Sequence, residues 1–102
     1  MDPSDLVARL EGGDSPVILD VRSGWEFGRG RIPGAVRVPF WRVSRHLNLI
    51  PVRRDDEIVV YCGYGPRAAW AAAMLKRAGF SRVSLLRGHW ARWRREKRPR
   101  TP

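Results

Sequence analysis

A chain of 102 residues has the length of one domain, and residues 1–102 are expected to share one core. Its hydrophobic fraction of 43% and charged fraction of 29% are those of a globular protein, and no apolar run approaches the roughly 20 residues that span a bilayer. One cysteine excludes an internal disulfide, and His46 and His89 form no cluster at zinc-ligand spacing, so neither a disulfide scaffold, a metal nor a cofactor is expected.

The segment Met1-Asp2-Pro3-Ser4-Asp5 is acidic and lacks the apolar core of a secretory signal, which makes the cytoplasm the expected location, without a membrane partner. Ser4 is positioned to cap a short helix over 5–10, where Leu6, Val7 and Leu10 recur at helical spacing before Gly12-Gly13 ends it. Residues 16–21 form a continuous β-branched and aliphatic run, the pattern of a strand buried on both faces of a parallel sheet. The carboxyl end of that strand delivers Asp20 and Arg22. Ser23 then caps a helical turn through Trp25, Glu26 and Phe27, after which Gly28, Gly30, Pro33 and Gly34 force a loop. Residues 35–39 read as a second short strand, and 40–49 as a helix carrying Trp41, Val43 and Leu47, stopped before Pro51.

A charged turn at 53–56 precedes the strongest strand signal, Glu57-Ile58-Val59-Val60-Tyr61, with Cys62 at its end. Residues 67–78 are nearly all helix formers, followed by Gly79 in the usual C′ place and Phe80 as its hydrophobic contact. Residues 83–86 are one more strand and 90–93 a final helical turn. This alternation predicts an α/β fold, a parallel sheet covered by helices on both faces.

In such sheets ligands bind beyond the carboxyl ends of the strands, where a following helix points its free N–H groups and positive dipole end. Cys62 lies in that gap. Gly63 and Gly65 allow a tight turn with inward amides, Tyr64 stands between them, and Pro66 suits a first helical turn because its missing N–H has no helical partner. The expected product is an amide nest around the sulfur, with Arg67 and the helix dipole favouring the nucleophilic thiolate. An unpaired cysteine at a strand end is ordinarily a small buried residue. A core filler, however, needs neither these glycines nor this arginine.

Three separated segments share a pattern. Ile18 to Arg22, with Trp25 to Phe27 and Gly30 to Ala35, resembles the amino-terminal signature of the rhodanese family of single-domain sulfurtransferases, with Arg31 where a histidine is usual. Val59 to Arg67 resembles the family's active-site loop. Leu86-Arg87-Gly88-His89 through Trp93 resembles its closing glycine and tryptophan motif, with His89 where a second glycine is common. The resemblance implies a three-layer α/β sandwich, a parallel sheet of four to five strands with helices on both faces; the family's entry strand is nearly absent, because only Met1, Asp2 and Pro3 stand before Ser4, so four good strands and at most a vestigial fifth are expected. It also implies a cysteine that takes sulfane sulfur as a persulfide and passes it to a thiophilic acceptor, in the manner of thiosulfate:cyanide chemistry. Arg67 would then orient an oxyanion donor, braced by an acidic residue, with Glu26 the first candidate and Asp20 the second. Asp20 and Arg22 also fit as strand-end groups that fix the neighbouring loops.

Four residues separate Cys62 from Arg67, one fewer than in the phosphatases and arsenate reductases that share this fold by resemblance. A phosphate presents three peripheral oxygens and a persulfide one extra sulfur, so the shorter loop suits sulfur. A phosphatase or arsenate reductase remains an alternative, and a non-catalytic rhodanese-like binding module another. Gly63 and Tyr64 stand where many relatives carry cations or hydroxyls, Ala68 stands where serine is frequent, and Pro66 removes one backbone donor. These departures weaken the loop as a thiosulfate binder and leave room for a low-molecular-weight persulfide, or one carried by a partner protein, as the donor.

Residues 87–102 carry seven cations against Glu96, a net +6 of the chain's +10, leaving +4 for the rest. The basic tail, 92–102, reads as a solvated and partly frayed terminus in a chain expected to be a monomer, and nucleic acid is the less favoured partner because no binding module stands upstream. Trp25, Trp70 and Trp93 are assigned to the core or its margins, and Trp41, Trp90 and His89 to a pocket rim.

Overall fold

A computed structural model describes residues 1–43, 45 and 52–102. Helix α1 (Pro3–Glu11) leads into strand β1 (Val17–Asp20), helix α2 (Gly24–Gly28), strand β2 (Val36–Arg37) and a 3₁₀ turn (Phe40–Arg42). Strand β3 (Glu57–Tyr61), helix α3 (Pro66–Arg77), strand β4 (Arg82–Leu85) and helix α4 (His89–Arg95) follow. The four strands form one parallel sheet in the order β2-β1-β3-β4, with Leu19 opposite Val60 and Asp20 opposite Tyr61.

The alternation of side chains along the two central strands builds two cores. Leu19, Val21, Ile58, Val60 and Cys62 face α3, where they meet Ala68, Ala71, Ala72 and Leu75. Ile18, Val59 and Tyr61 face the other way, against Leu6 of α1 and Trp90 and Trp93 of α4. Because both faces are covered, β1 and β3 read as unbroken apolar runs, which makes them legible without a polar alternation.

Several boundaries differ from the sequence expectation. Helix α1 begins at Pro3, with Asp2 rather than Ser4 in the N-cap place, since proline's fixed φ and missing N–H suit a first turn. Of the expected helix over 40–49, Phe40–Arg42 form a 3₁₀ turn, while Ser44 and residues 46–51, His46 among them, lie outside the described residues. At the end of α3, Gly79 (φ +99°) donates to Lys76 O and Phe80 N–H reaches Leu75 O at 3.1 Å, the reciprocal pair of a Schellman cap. Beside β4, the Met1 ammonium donates to Leu85 O (2.7 Å) and Arg87 N–H to Met1 O (3.0 Å), a single residue where a vestigial fifth strand was expected.

The tryptophan assignments divide. Trp93 is fully buried, whereas Trp25 is 70% exposed and Trp70 is also exposed. Helix α2 is five residues long and buries none of them, so it has no inward face for Trp25. On α3 the buried stripe is Ala68, Ala71, Ala72 and Leu75, and Trp70 lies off it.

The basic segment is not frayed. Arg31 and Thr101 exchange both backbone hydrogen bonds, at 2.9 and 2.8 Å, and the Trp93 indole donates to Pro99 O at 2.7 Å. Arg92, Arg94 and Arg95 belong to α4 itself, and the chain then turns at Lys97 (φ +54°) and folds back against the loop after α2.

Candidate active site

From β1 the chain moves to β2 on one side, and from β3 to β4 on the other, so the crevice between the carboxyl ends of β1 and β3 is the switch point of the sheet. Both ends carry sequence-predicted residues: Asp20 closes β1, and Cys62 follows Tyr61 at the end of β3.

The loop from Cys62 to Arg67 turns back on the sulfur. Gly65, at φ +135°, is the N-cap of α3, Pro66 is its first residue, and the Gly65 N–H donates to Cys62 Sγ at 3.0 Å. Among the described residues Gly65 is the backbone amide that donates to the sulfur, and the Cys62 N–H is turned away to His89 Nδ1 at 3.3 Å. Cys62 is fully buried.

Helix α4 holds the loop from below. Its first turn donates Trp90 N–H to Cys62 O (3.0 Å) and Ala91 N–H to Gly63 O (3.1 Å), while His89 accepts from the cysteine amide. His89 has a left-handed backbone (φ +53°), the conformation a glycine adopts without strain. It is buried, which lowers its pKa, so the ring is neutral at pH 7; Nδ1 accepts, and the proton resides on Nε2, packed under Gly65. His89 therefore lies beneath the loop rather than on a pocket rim.

Arg67 is held by Glu26 through two parallel bonds, Nη1 to Oε1 at 2.7 Å and Nη2 to Oε2 at 3.0 Å. Glu26 in turn completes a capping box with Ser23, whose amide and hydroxyl donate to Oε1 at 3.1 and 2.9 Å. The Arg67 bonds, opposed by partial burial, pull the Glu26 carboxyl down to about 2. The same pair raises the Arg67 guanidinium, and nearby Cys62 adds to that rise. A cap at the start of α2 thus fixes the cation that closes the loop.

Asp20 does not touch Arg67. Its carboxylate takes the Arg22 guanidinium (Nη2 to Oδ2, 2.7 Å), the Arg22 amide (3.0 Å) and the Tyr61 hydroxyl (2.5 Å), all buried. Arg22 also donates to Gly30 O (2.7 Å) and lies over the Trp90 ring at 4.7 Å, and the Tyr61 oxygen accepts from the Ile32 amide at 3.1 Å. Burial, and then the Asp20 charge, raise the Tyr61 pKa far above its ordinary value, so it stays a donor. This network fixes the loop after α2 to the floor of the crevice, and sequence reasoning did not find Tyr61 in it.

A cavity of about 460 Å³ opens against Gly63 and Tyr64, with Trp25, Arg29, Trp90, Arg94 and Arg100 among its walls. Trp90 is at this mouth, as expected. Trp41 is not among the lining residues and packs its ring edge-on to Phe40. The loop carries one cation, Arg67, and the cations of the mouth come instead from Arg22 and Arg29 on either side of α2, from Arg94 of α4 and from Arg100 of the folded-back segment, the last two of which charge counting placed on a solvated tail.

The model for the rhodanese-like domain family matches residues 2–96. A sulfurtransferase of Allochromatium vinosum is 32% identical over 99 residues, covering 97% of this chain and 91% of that protein. The tRNA uridine(34) hydroxylase of Listeria monocytogenes is 36% identical over 96 residues, but the chain spans only 28% of its length. Among solved structures, the Alr3790 protein from Anabaena superposes with a TM-score of 0.89 at 30% identity, covering 99% of this chain and 90% of that one.

Proposed function

The chain belongs to the rhodanese-like sulfurtransferase family, and we propose that within it Cys62 accepts sulfane sulfur as a persulfide and passes it to a thiophilic acceptor. The Cys62 thiolate attacks the outer sulfur of a donor such as thiosulfate. A new S–S bond forms on Cys62, the donor S–S bond breaks, and sulfite leaves with the electron pair. An acceptor, cyanide in the simplest case, then attacks the terminal sulfur; thiocyanate forms and the pair returns to Cys62.

The observation that carries this reading is the Gly65 amide aimed at Cys62 Sγ at 3.0 Å, in a loop whose far end is locked by the Arg67–Glu26 pair. A hydrogen-bond donor fixed at the sulfur stabilises negative charge there without reorganisation. Full burial of Cys62 favours a small donor, thiosulfate or a low-molecular-weight persulfide, over a sulfur presented by a folded partner. Arg29, Arg94 and Arg100 at the mouth favour an anionic one.

Intact mass and cyanolysis test the proposal. Treatment with thiosulfate or glutathione persulfide is expected to add one sulfur atom that cyanide removes as thiocyanate, and Cys62→Ala is expected to take up none. Absence of a cyanide-labile adduct with both donors would overturn it. Hydrolysis of an aryl phosphate that is lost in Cys62→Ser would favour phosphoryl chemistry instead.

A further inference from the structure

A second cavity of about 460 Å³ adjoins the one at the loop mouth: Arg94 and Arg100 line both, and Lys97 and Arg98 complete the second. The cations of the two cavities form a track that starts beside Gly63 and Tyr64 and follows the folded-back carboxyl segment. Arg98 shares Glu96 with Arg92, at 2.9 and 3.0 Å. Arg29, Arg94, Lys97 and Arg100 are exposed and have no ion-pair partner among the described residues. The bridge between Arg31 and Thr101 and the Trp93 bond to Pro99 fix this wall in place, so the like charges are held together rather than dispersed in solvent.

Aromatic surface meets the track at its loop end. Trp25 and Tyr64 are 70% and 80% exposed, Trp25 even with the Arg29 guanidinium over its ring at 4.8 Å. Neither ring contributes to either core. A small dianionic donor at Cys62 would use the mouth and leave the far end of the track idle. An acidic peptide would satisfy the arginines but not the rings, and a duplex keeps its bases stacked inside. Unpaired cations in a line with exposed rings at one end match the needs of a strand with a charge at every step and a flat apolar base beside it.

We propose that this track binds a single-stranded nucleic acid, with phosphates on Arg29, Arg94, Lys97 and Arg100 and a base stacked on Trp25 or Tyr64 at the loop mouth. The proposal assigns no chemical step to the nucleic acid and does not rest on sulfur transfer, since its test reads binding alone.

Fluorescence anisotropy of the full chain with labelled oligo(U) and oligo(dT) of about 12 nucleotides, across a salt series, supplies the test. With about 0.7 counterions released per phosphate and four contacts, the slope of log K against log salt is expected near about −3. Arg94→Ala/Arg100→Ala is expected to weaken binding and to flatten the slope by about 1.4. Trp25→Ala, at a position too exposed to affect folding, is expected to weaken binding by about fivefold or more with the slope unchanged. A preference for oligo(U) or for oligo(dT) names the polymer within the proposal. Lack of saturable binding of both strands, equal binding of a hairpin duplex or of oligoglutamate, or full affinity in both Trp25→Ala and Tyr64→Ala would overturn it.

Discussion

Replacing Glu26 by glutamine removes a charge while keeping the shape of the side chain, and its cost follows from the site. The carboxyl titrates at about 2 rather than at its ordinary 4.5, chiefly because Arg67 donates two hydrogen bonds to it. That difference of about 2.5 units corresponds to at most about 3.4 kcal/mol, and with side chains 28% and 30% exposed, solvent screening leaves about 1–2 kcal/mol. The substituted amide retains an oxygen for Ser23, so the capping box of α2 survives and the loss belongs to the pair. Because the folded-state pKa is depressed, the contribution is complete above about pH 4.5 and disappears as pH falls through about 2. Urea unfolding of wild type and Glu26→Gln is therefore expected to differ by about 1–2 kcal/mol at pH 7, with a gap that narrows below pH 4.5. Sulfur loading of the variant is expected to slow, since Arg67 is no longer held at the loop. A gap of equal size at pH 7 and near pH 3, or none at pH 7, would refute the assignment of Glu26 as the brace.

Tyr61→Phe strips a hydroxyl that Asp20 and the Ile32 amide both use inside the core, leaving a buried N–H without a partner; a loss of about 2 kcal/mol is expected by thermal or urea unfolding, and one under about 0.5 kcal/mol would show that the network does not hold the loop. His89→Gly relieves a left-handed backbone worth about 1 kcal/mol but deprives the buried Cys62 amide of its acceptor, at about 1–3 kcal/mol, so a net loss of about 1 kcal/mol at pH 7 is expected. Burial depresses the His89 pKa in the folded protein, so its stability is complete above about pH 6.5 and declines as pH falls below that. The glycine variant is expected to lack this decline, and a variant more stable than wild type at pH 7 would refute the role of His89 beneath the loop.

What the sequence reveals and conceals follows the range of the forces involved. β1, β3 and α3 are written in contiguous residues: Ile18 and Leu19, or Val59 and Val60, are apolar on both faces because both faces are covered, and Gly79-Phe80 spells a helix end. The loop from Cys62 to Arg67 is local too, and its glycines and proline take the turn positions that their chemistry allows. Across 41 residues, the partnership of Glu26 with Arg67 was expected only through family resemblance, although Ser23 and Glu26 at capping-box spacing mark α2 as fixed. The exposure of Trp70 was open to a finer reading, since it is two residues from Ala68 and so opposite the buried stripe. The carboxyl segment was beyond such a reading. Its position depends on a backbone bridge between Arg31 and Thr101 and on one indole bond to Pro99, interactions that leave no periodicity and no composition signal. Charge counting gave those arginines their exposure but not a fixed place. The bridge sets Arg94 and Arg100 beside Gly63 and Tyr64, so further cations reach the mouth of the Cys62 loop, which itself carries only Arg67, through the segment least legible in the sequence.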